Sequence, residues 1–178
     1  ERVMRDLDIL LDQKSIHPAV RQLFSKGYSY CQNDVLPAPP VDEHENPVEA
    51  LKKRGLGYMH HIFPMAQPGS IASVELHIKP TLQLEATPIF ASEEAIGESV
   101  YCSNSGVRIL RIEHRLLHNF YHVQIQDRNG QLGKINLTQL YDFVQLIFRH
   151  QQEINWNIIQ DRIEACGLTK HFQAYMQY

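Results

Sequence analysis

Residues 3–11 read Val-Met-Arg-Asp-Leu-Asp-Ile-Leu-Leu and give the clearest indication of the fold. Successive side chains of a strand point to opposite faces, so Asp6 and Asp8 would share one face and Leu7 and Ile9 the other. The unbroken apolar run at residues 9–11 predicts a buried strand that delivers two carboxylates to its edge. Charge in such a place is unfavourable unless something pairs with it, so the two aspartates are candidates for a functional site.

A second strand would supply a third carboxylate. Residues 58–65 and 70–78 are extended runs joined by Gln67-Pro68-Gly69, and a Pro-Gly pair between two such runs predicts a hairpin. In the second arm of this hairpin, Glu75 and His77 would lie on one face and apolar residues on the other.

The rest of the chain changes from extended to helical patterning. Residues 33–57 combine prolines with many charges, which predicts a surface insertion with one helical turn around residues 48–53. Residues 81–105 predict a solvated connector. From Ile112 onward apolar residues recur at helical spacing, and we expect these stripes to lie in the core. We therefore predict an α+β fold, with a mixed β-sheet and flanking helices over residues 1–106 and a C-terminal helical segment over residues 107–178.

Composition argues against several classes of protein. A chain of 178 residues suits about one domain. No segment approaches the about 20 apolar residues of a membrane span, and a net charge of −3 gives no electrostatic case for binding duplex DNA. Cys31, Cys102 and Cys166 form no C-x-x-C pair, which excludes a zinc ribbon and favours a reducing, cytoplasmic location.

Asp6, Asp8 and Glu75 are the candidate catalytic and metal-binding residues. Carboxylates two residues apart on a strand have Cβ atoms about 6–7 Å apart. That spacing suits two divalent cations about 3.5–4 Å apart, as in phosphoryl-transfer sites, and hard cations prefer carboxylate oxygen. Solvated strand faces also carry Asp-x-Asp, so the structural interpretation stays open beside the functional one.

Three further side chains are candidates for holding a substrate or cofactor. Arg2 and Arg5 precede the aspartates, and their guanidinium groups match the geometry of phosphate oxygens, although they would equally serve as simple partners of the aspartates. His77 would orient a ligand or accept a proton. The neighbouring His60-His61 pair fits no helical zinc motif, which favours isolated surface or seam histidines.

The ordered set of short motifs resembles a poorly characterised bacterial nucleotidyltransferase family of the polymerase-β-like superfamily. Residues 2–11 resemble its signature R-x-x-x-D-[IL]-D-[LI]-L-[LV]. The remaining pieces follow in the family's order: Leu-Phe-Ser-Lys-Gly-Tyr at 23–28, His60-His61, Val-Glu-Leu-His at 74–77, Leu-Leu-His-x-x-x-His at 116–122, Leu-x-x-Leu-Tyr-Asp at 137–142 and Ile-Asn-Trp at 154–156.

This resemblance implies a nucleotidyltransferase-like fold and a specific chemistry. Asp6, Asp8 and Glu75 would bind Mg²⁺ or Mn²⁺, which would bridge them to an NTP substrate. A hydroxyl of an unknown acceptor, whether a small molecule, a protein or RNA, would receive the NMP. His118, His122 and Asp142 also match family positions, and we interpret these three as structural residues.

Two alternatives remain at this stage. Members of the superfamily carry a Gly-Ser or Lys-Gly turn before the Asp-x-Asp strand, and residues 1–5, which precede Asp6 in this sequence, do not include one. The sequence therefore also fits a catalytically inactive domain of the same fold that acts as a binding or regulatory partner. A metal-dependent glycosyltransferase ranks lower, because that fold needs a nucleotide-binding βαβ region upstream and a longer chain.

Overall fold

The structure is a computed structural model that describes residues 6–31, 44–82 and 89–178. The chain folds into two compact units, Glu1–Pro80 and Thr81–Tyr178. The domain boundary predicted after residue 106 lies inside the second unit, immediately before one of its strands.

The first unit is built on a mixed four-stranded sheet with the strand order β1-β4-β3-β2. Strand β1 runs parallel to β4, whereas β4 with β3 and β3 with β2 are antiparallel pairs. The elements of this unit are β1 (Asp6–Leu10), α1 (Gln13–Ser25), β2 (Ser29–Tyr30), α2 (Pro47–Lys53), β3 (Met65–Ala66) and β4 (Ser73–His77). The α+β class and the predicted hairpin are confirmed.

Helix α1 connects β1 to the rest of the sheet. It begins after Asp12, whose side chain accepts a hydrogen bond from the backbone N–H of Ser15. It ends before Gly27, which adopts a positive φ of 84° that suits a residue without a Cβ. Ile16 and Val20, one turn apart on the same face, are fully buried in the core of this unit.

The surface insertion predicted at residues 33–57 contains a core helix in its described part. Asn46 caps α2 by accepting from the backbone N–H groups of Val48 and Glu49. Val48 and Leu51 belong to the main apolar cluster with exposures of 5% and 1%. The interpretation of this part as exposed is therefore wrong, because a single apolar stripe on a short helix is enough to bury it. Residues 32–43 lie outside the described residues.

Strand β1 lies at an edge of the described sheet. Asp6, Leu7 and Asp8 are exposed, and Ile9 and Leu10 are partly buried. The prediction that this strand is buried is therefore wrong, since β4 flanks it on one side only.

The second unit is mainly helical. Its described elements are α3 (Ser92–Gly97), β5 (Val100–Cys102), β6 (Val107–Ile109), α4 (Ile112–Tyr121), a π-helical turn (His122–Gln126), α5 (Asn129–Leu132), α6 (Leu137–His150), α7 (Trp156–Ala165) and α8 (Thr169–Tyr175). The helical periodicity from Ile112 onward is confirmed. None of the helices in the described part of the chain combines the length and apolar character needed to cross a membrane.

The solvated connector predicted at residues 81–105 is a folded segment where it is described. Ile89, Phe90 and Ala95 are buried, and α3 and β5 are regular elements. The glutamates on and after α3 pair with arginines from later in the chain, which the local composition does not reveal. Residues 83–88 lie outside the described residues.

One helix of this unit departs from the predicted burial. In α6 only Phe143 is buried. The stripe expected in the core is largely exposed at Leu137, Tyr141, Val144 and Phe148. The amphipathic pattern thus predicts the helix but not the burial of its apolar face.

Candidate active site

The parallel pairing of β1 and β4 brings the predicted carboxylates to one face of the sheet. Asp8 is the register partner of Glu75, and Asp6 is the partner of Ser73. Because paired residues on adjacent strands point the same way, Asp6, Asp8 and Glu75 share this face. The opposite face of β4 carries Val74 and Leu76, which are buried in the core. The apolar side thus fixes which way the acidic side points.

His77 lies against both carboxylates. Its Nε2 is 3.2 Å from Asp8 Oδ1 and 3.8 Å from Glu75 Oε2. Its side chain is only 9% exposed, whereas that of Asp8 is 57% exposed. The imidazole therefore forms the floor of the group and the aspartate its solvent-facing rim.

A second histidine, predicted to be an isolated surface or seam residue, also faces Glu75. The hairpin pairs His61 with His77 in an antiparallel bridge. His61 Nε2 is 3.8 Å from Glu75 Oε2, while its Nδ1 is 2.7 Å from the backbone oxygen of Ile62. Its ring also packs edge-on against His60 at 4.6 Å between centroids. The hairpin register was the available signal, because it sets residue 61 opposite residue 77.

Burial dominates the electrostatics of Glu75. It raises the pKa of this carboxyl above its usual range, the two neighbouring histidines lower that pKa, and the two aspartates of β1 raise it further. Cys31 lies near enough that its thiol pKa is raised by burial and by the charge of Glu75. A carboxyl whose charged form is disfavoured in this way is a recognised mark of a functional site.

The structure brings some of the predicted site residues together and leaves others apart. Asp8, Glu75 and His77 form one compact group. Asp6 shares their face but is exposed, at the start of β1. Arg2 and Arg5 lie outside the described residues.

This group fits a divalent cation. One ligand atom from each of Asp8, Glu75 and His77 lies within 4.8 Å of the others. Two of these atoms are carboxylate oxygens and the third is an imidazole nitrogen, which are the common protein ligands of divalent metals. Asp6 stands on the same face to contribute a further oxygen.

A second acid–histidine group, in the other unit, is an ion-pair network. Carboxylate oxygens of Glu94 and Glu98 lie 3.3 Å and 3.8 Å from Nε2 of His114, but each carboxylate already pairs with a guanidinium. Arg111 donates to Glu98 at 2.8 Å, and Arg162 contacts Glu94. These cations supply the positive charge that a metal would otherwise bring, so we assign this group a structural role.

The histidines and the aspartate of the helical segment have contacts within the second unit. His118 and His122 lie one turn apart with ring centroids separated by 6.0 Å, and His122 is 3.3 Å from Asp127. Asp142 acts on Tyr175, where burial and this negative charge raise the phenol pKa to about 12. The interpretation of the three family positions as structural stays a prediction.

Comparison with known proteins agrees with the motifs. Neither the curated proteins nor the solved structures contain a match to this chain. The model of one protein family, described as an uncharacterised nucleotidyltransferase, matches residues 1–178, which is the full length of the sequence. With its Asp-x-Asp strand paired to the Glu75 strand, the chain belongs to this nucleotidyltransferase family.

Proposed function

We propose that the protein transfers an NMP from an NTP to a hydroxyl group of an acceptor, with Asp6, Asp8 and Glu75 as its metal-binding carboxylates. The observation that carries this proposal is the register of β1 against β4, which sets Asp8 beside Glu75. Membership of a nucleotidyltransferase family supports the same reaction and implies an NTP as substrate. The acceptor is a small molecule, a protein or RNA.

The reaction is an in-line displacement at phosphorus. The acceptor oxygen attacks the α-phosphorus and forms a new O–P bond, while the bond to the bridging oxygen of the β-phosphate breaks and pyrophosphate leaves with its electron pair. The hydroxyl proton passes to solvent water as the new O–P bond forms. Bound Mg²⁺ or Mn²⁺ would neutralise the triphosphate charge and lower the pKa of the attacking hydroxyl.

Calorimetric titration of each NTP tests the proposal. The titrations are run with and without Mg²⁺ or Mn²⁺ on the wild type, on the double variant Asp6→Asn/Asp8→Asn, and on Asp161→Asn. Asp161 is an exposed aspartate on α7 and is no member of the group of Asp8, Glu75 and His77, so its variant removes one negative charge, against two in the double variant, from outside that group. We expect metal-dependent binding in the wild type and in Asp161→Asn, and its loss in the double variant.

Two results of these titrations would contradict the proposed function. Wild-type protein that binds no NTP at any metal concentration would contradict the proposal and favour an inactive domain of the same fold. Equal binding by the wild type and the double variant would place the nucleotide away from these carboxylates.

A further inference from the structure

We propose that the exposed apolar face of α6 is the contact surface of a homodimer, in which α6 of one chain packs antiparallel against α6 of a second copy. This face consists of Leu137, Tyr141, Val144 and Phe148. The inference is independent of the proposed function, because it uses the second unit and none of the candidate site residues.

The face is uncovered although its composition is that of a core. Leu137 and Phe148 are 73% and 71% exposed, and Tyr141 and Val144 are 63% and 50% exposed. Phe143, on another side of the helix, is buried and packs against the ring of Tyr175 with 5.0 Å between centroids. Helix α6 is thus attached to its own unit through one apolar side and presents a second one to solvent. A helix that is apolar on two sides is expected to be buried on both.

The spacing of the four residues is that of a contact between two helices. They follow one another by four, three and four positions. This is the average period of 3.5 residues at which side chains of one helix insert between those of a partner helix. From Leu137 to Phe148 the stripe extends for about 16 Å at 1.5 Å per residue. A straight apolar stripe of this period fits a second helix.

The exposed area is sufficient for a specific dimer. Given their exposures, the four side chains present roughly 500 Å² per chain, since one aromatic side chain accounts for about 150–250 Å² when it is fully buried. Two copies together would bury about 1,000 Å², the area at which specific interfaces begin. The half-buried Leu140 and Ile147, next to the stripe on the helix, add to this area.

The residues that flank the stripe favour a second copy as the partner. These flanking positions are Thr138, Leu140, Gln145 and Ile147, and none of them is charged. A two-fold axis brings a surface against itself, so charged flanks would be opposed by like charges in a homodimer. A different partner helix is usually selected through complementary charges at such positions. The uncharged flanks of α6 therefore suit self-association.

Side-chain size determines the orientation of the two helices. With the two-fold axis at the middle of the stripe, the antiparallel arrangement sets Phe148 against Leu137 of the other copy and Tyr141 against Val144. Each ring then meets a smaller side chain, which allows the two surfaces to interdigitate. In the parallel arrangement each ring would meet its own copy. The antiparallel arrangement also opposes the two helix dipoles, which is favourable.

Sedimentation velocity of the full chain over a range of micromolar concentrations tests the dimer. The variant is Phe148→Asp, and Tyr101→Asp is the matched control because it places the same charge at an aromatic residue of the same unit, 65% exposed on β5. We expect a dimer for the wild type and for Tyr101→Asp. In Phe148→Asp the dissociation constant of the dimer should rise at least about thirtyfold, the effect of losing one interface hot spot. Far-UV circular dichroism should be unchanged, because Phe148 is exposed in the single chain.

Two results would overturn the inference. A wild type that is monomeric at every concentration would leave the face to another segment of this chain or to a different protein. A dimer that persists unchanged in Phe148→Asp would show that the copies meet through another surface.

Disulfide cross-linking tests the orientation separately. The background carries serine at Cys31, Cys102 and Cys166, which are free cysteines. Leu137→Cys and Phe148→Cys proteins are then oxidised singly and as a mixture. We expect cross-linked dimers only in the mixture, because in the antiparallel pair the two copies of residue 137 stand about 16 Å apart along the helices, beyond the reach of a disulfide. Cross-linked dimers of Leu137→Cys alone would refute the antiparallel arrangement.

Discussion

Replacement of Leu51 by alanine tests whether α2 belongs to the core that supports the site. Leu51 is 1% exposed, and it packs in one cluster with Ile62 and Phe63, which follow His61 in the hairpin. Loss of three buried carbon atoms at about 0.8 kcal/mol each costs about 2.4 kcal/mol. The cavity left behind raises the expected loss of unfolding free energy to about 3 kcal/mol.

Ile71→Ala is the matched control because it also removes three carbon atoms from the same unit. Ile71 is 83% exposed in the turn between β3 and β4, so its expected cost is only about 0.4 kcal/mol. Urea titration is followed by hydrogen–deuterium exchange of peptides from α1 and β4, which report on this unit specifically. If the losses of unfolding free energy in Leu51→Ala and Ile71→Ala differ by less than about 0.5 kcal/mol, a core role for α2 is refuted.

Three further predictions concern charge and metal. Burial raises the pKa of Glu75, so the wild type should lose stability relative to Glu75→Gln as the pH rises from 4.5 through that raised pKa. Thermal unfolding without metal measures the two stabilities, and parallel curves of stability against pH would contradict the prediction. Glu113 is buried and accepts from Arg111 and from the backbone of Asn155, and its pKa is lowered. Glu113→Gln should therefore destabilise the fold by about 1.5–3 kcal/mol at pH 7. The difference in stability between the wild type and this variant should shrink as the pH falls through the lowered pKa of Glu113. An unchanged midpoint of urea unfolding would contradict this prediction. Mn²⁺ at 100 times its dissociation constant should stabilise the wild type by about 2.7 kcal/mol, and an equal gain in Asp6→Asn/Asp8→Asn would show that the ion binds elsewhere.

The elements that place the carboxylates can be predicted because their signals are local. Alternation along residues 73–78 sets Glu75 and His77 opposite Val74 and Leu76, and the Pro-Gly pair sets the turn. The apolar face then determines the orientation of the acidic face. Pairing of β4 with β1 requires only that two strands, each with an acidic face and an apolar face, lie side by side in one sheet.

Non-local contacts explain what the sequence does not reveal. His61 faces Glu75 only because the hairpin register sets it opposite His77. The helical turn predicted around residues 48–53 is confirmed by α2, but the charges around it indicate exposure and do not reveal that Val48 and Leu51 are buried against other elements. In both places the decisive partner lies on another element.

The two acid–histidine groups show why composition alone does not identify a metal site. Glu98 lies beside Arg111, and the hydrogen bond from that guanidinium lowers its pKa, so its charge is already balanced. Glu75 has the opposite shift, because burial and the neighbouring aspartates outweigh the two histidines. A carboxylate that is hard to ionise next to other acids gains most from an added cation. The guanidinium partners of Glu94 and Glu98, rather than the presence of acids and histidine, thus explain why we assign that group to the fold and propose the metal at the group around Glu75.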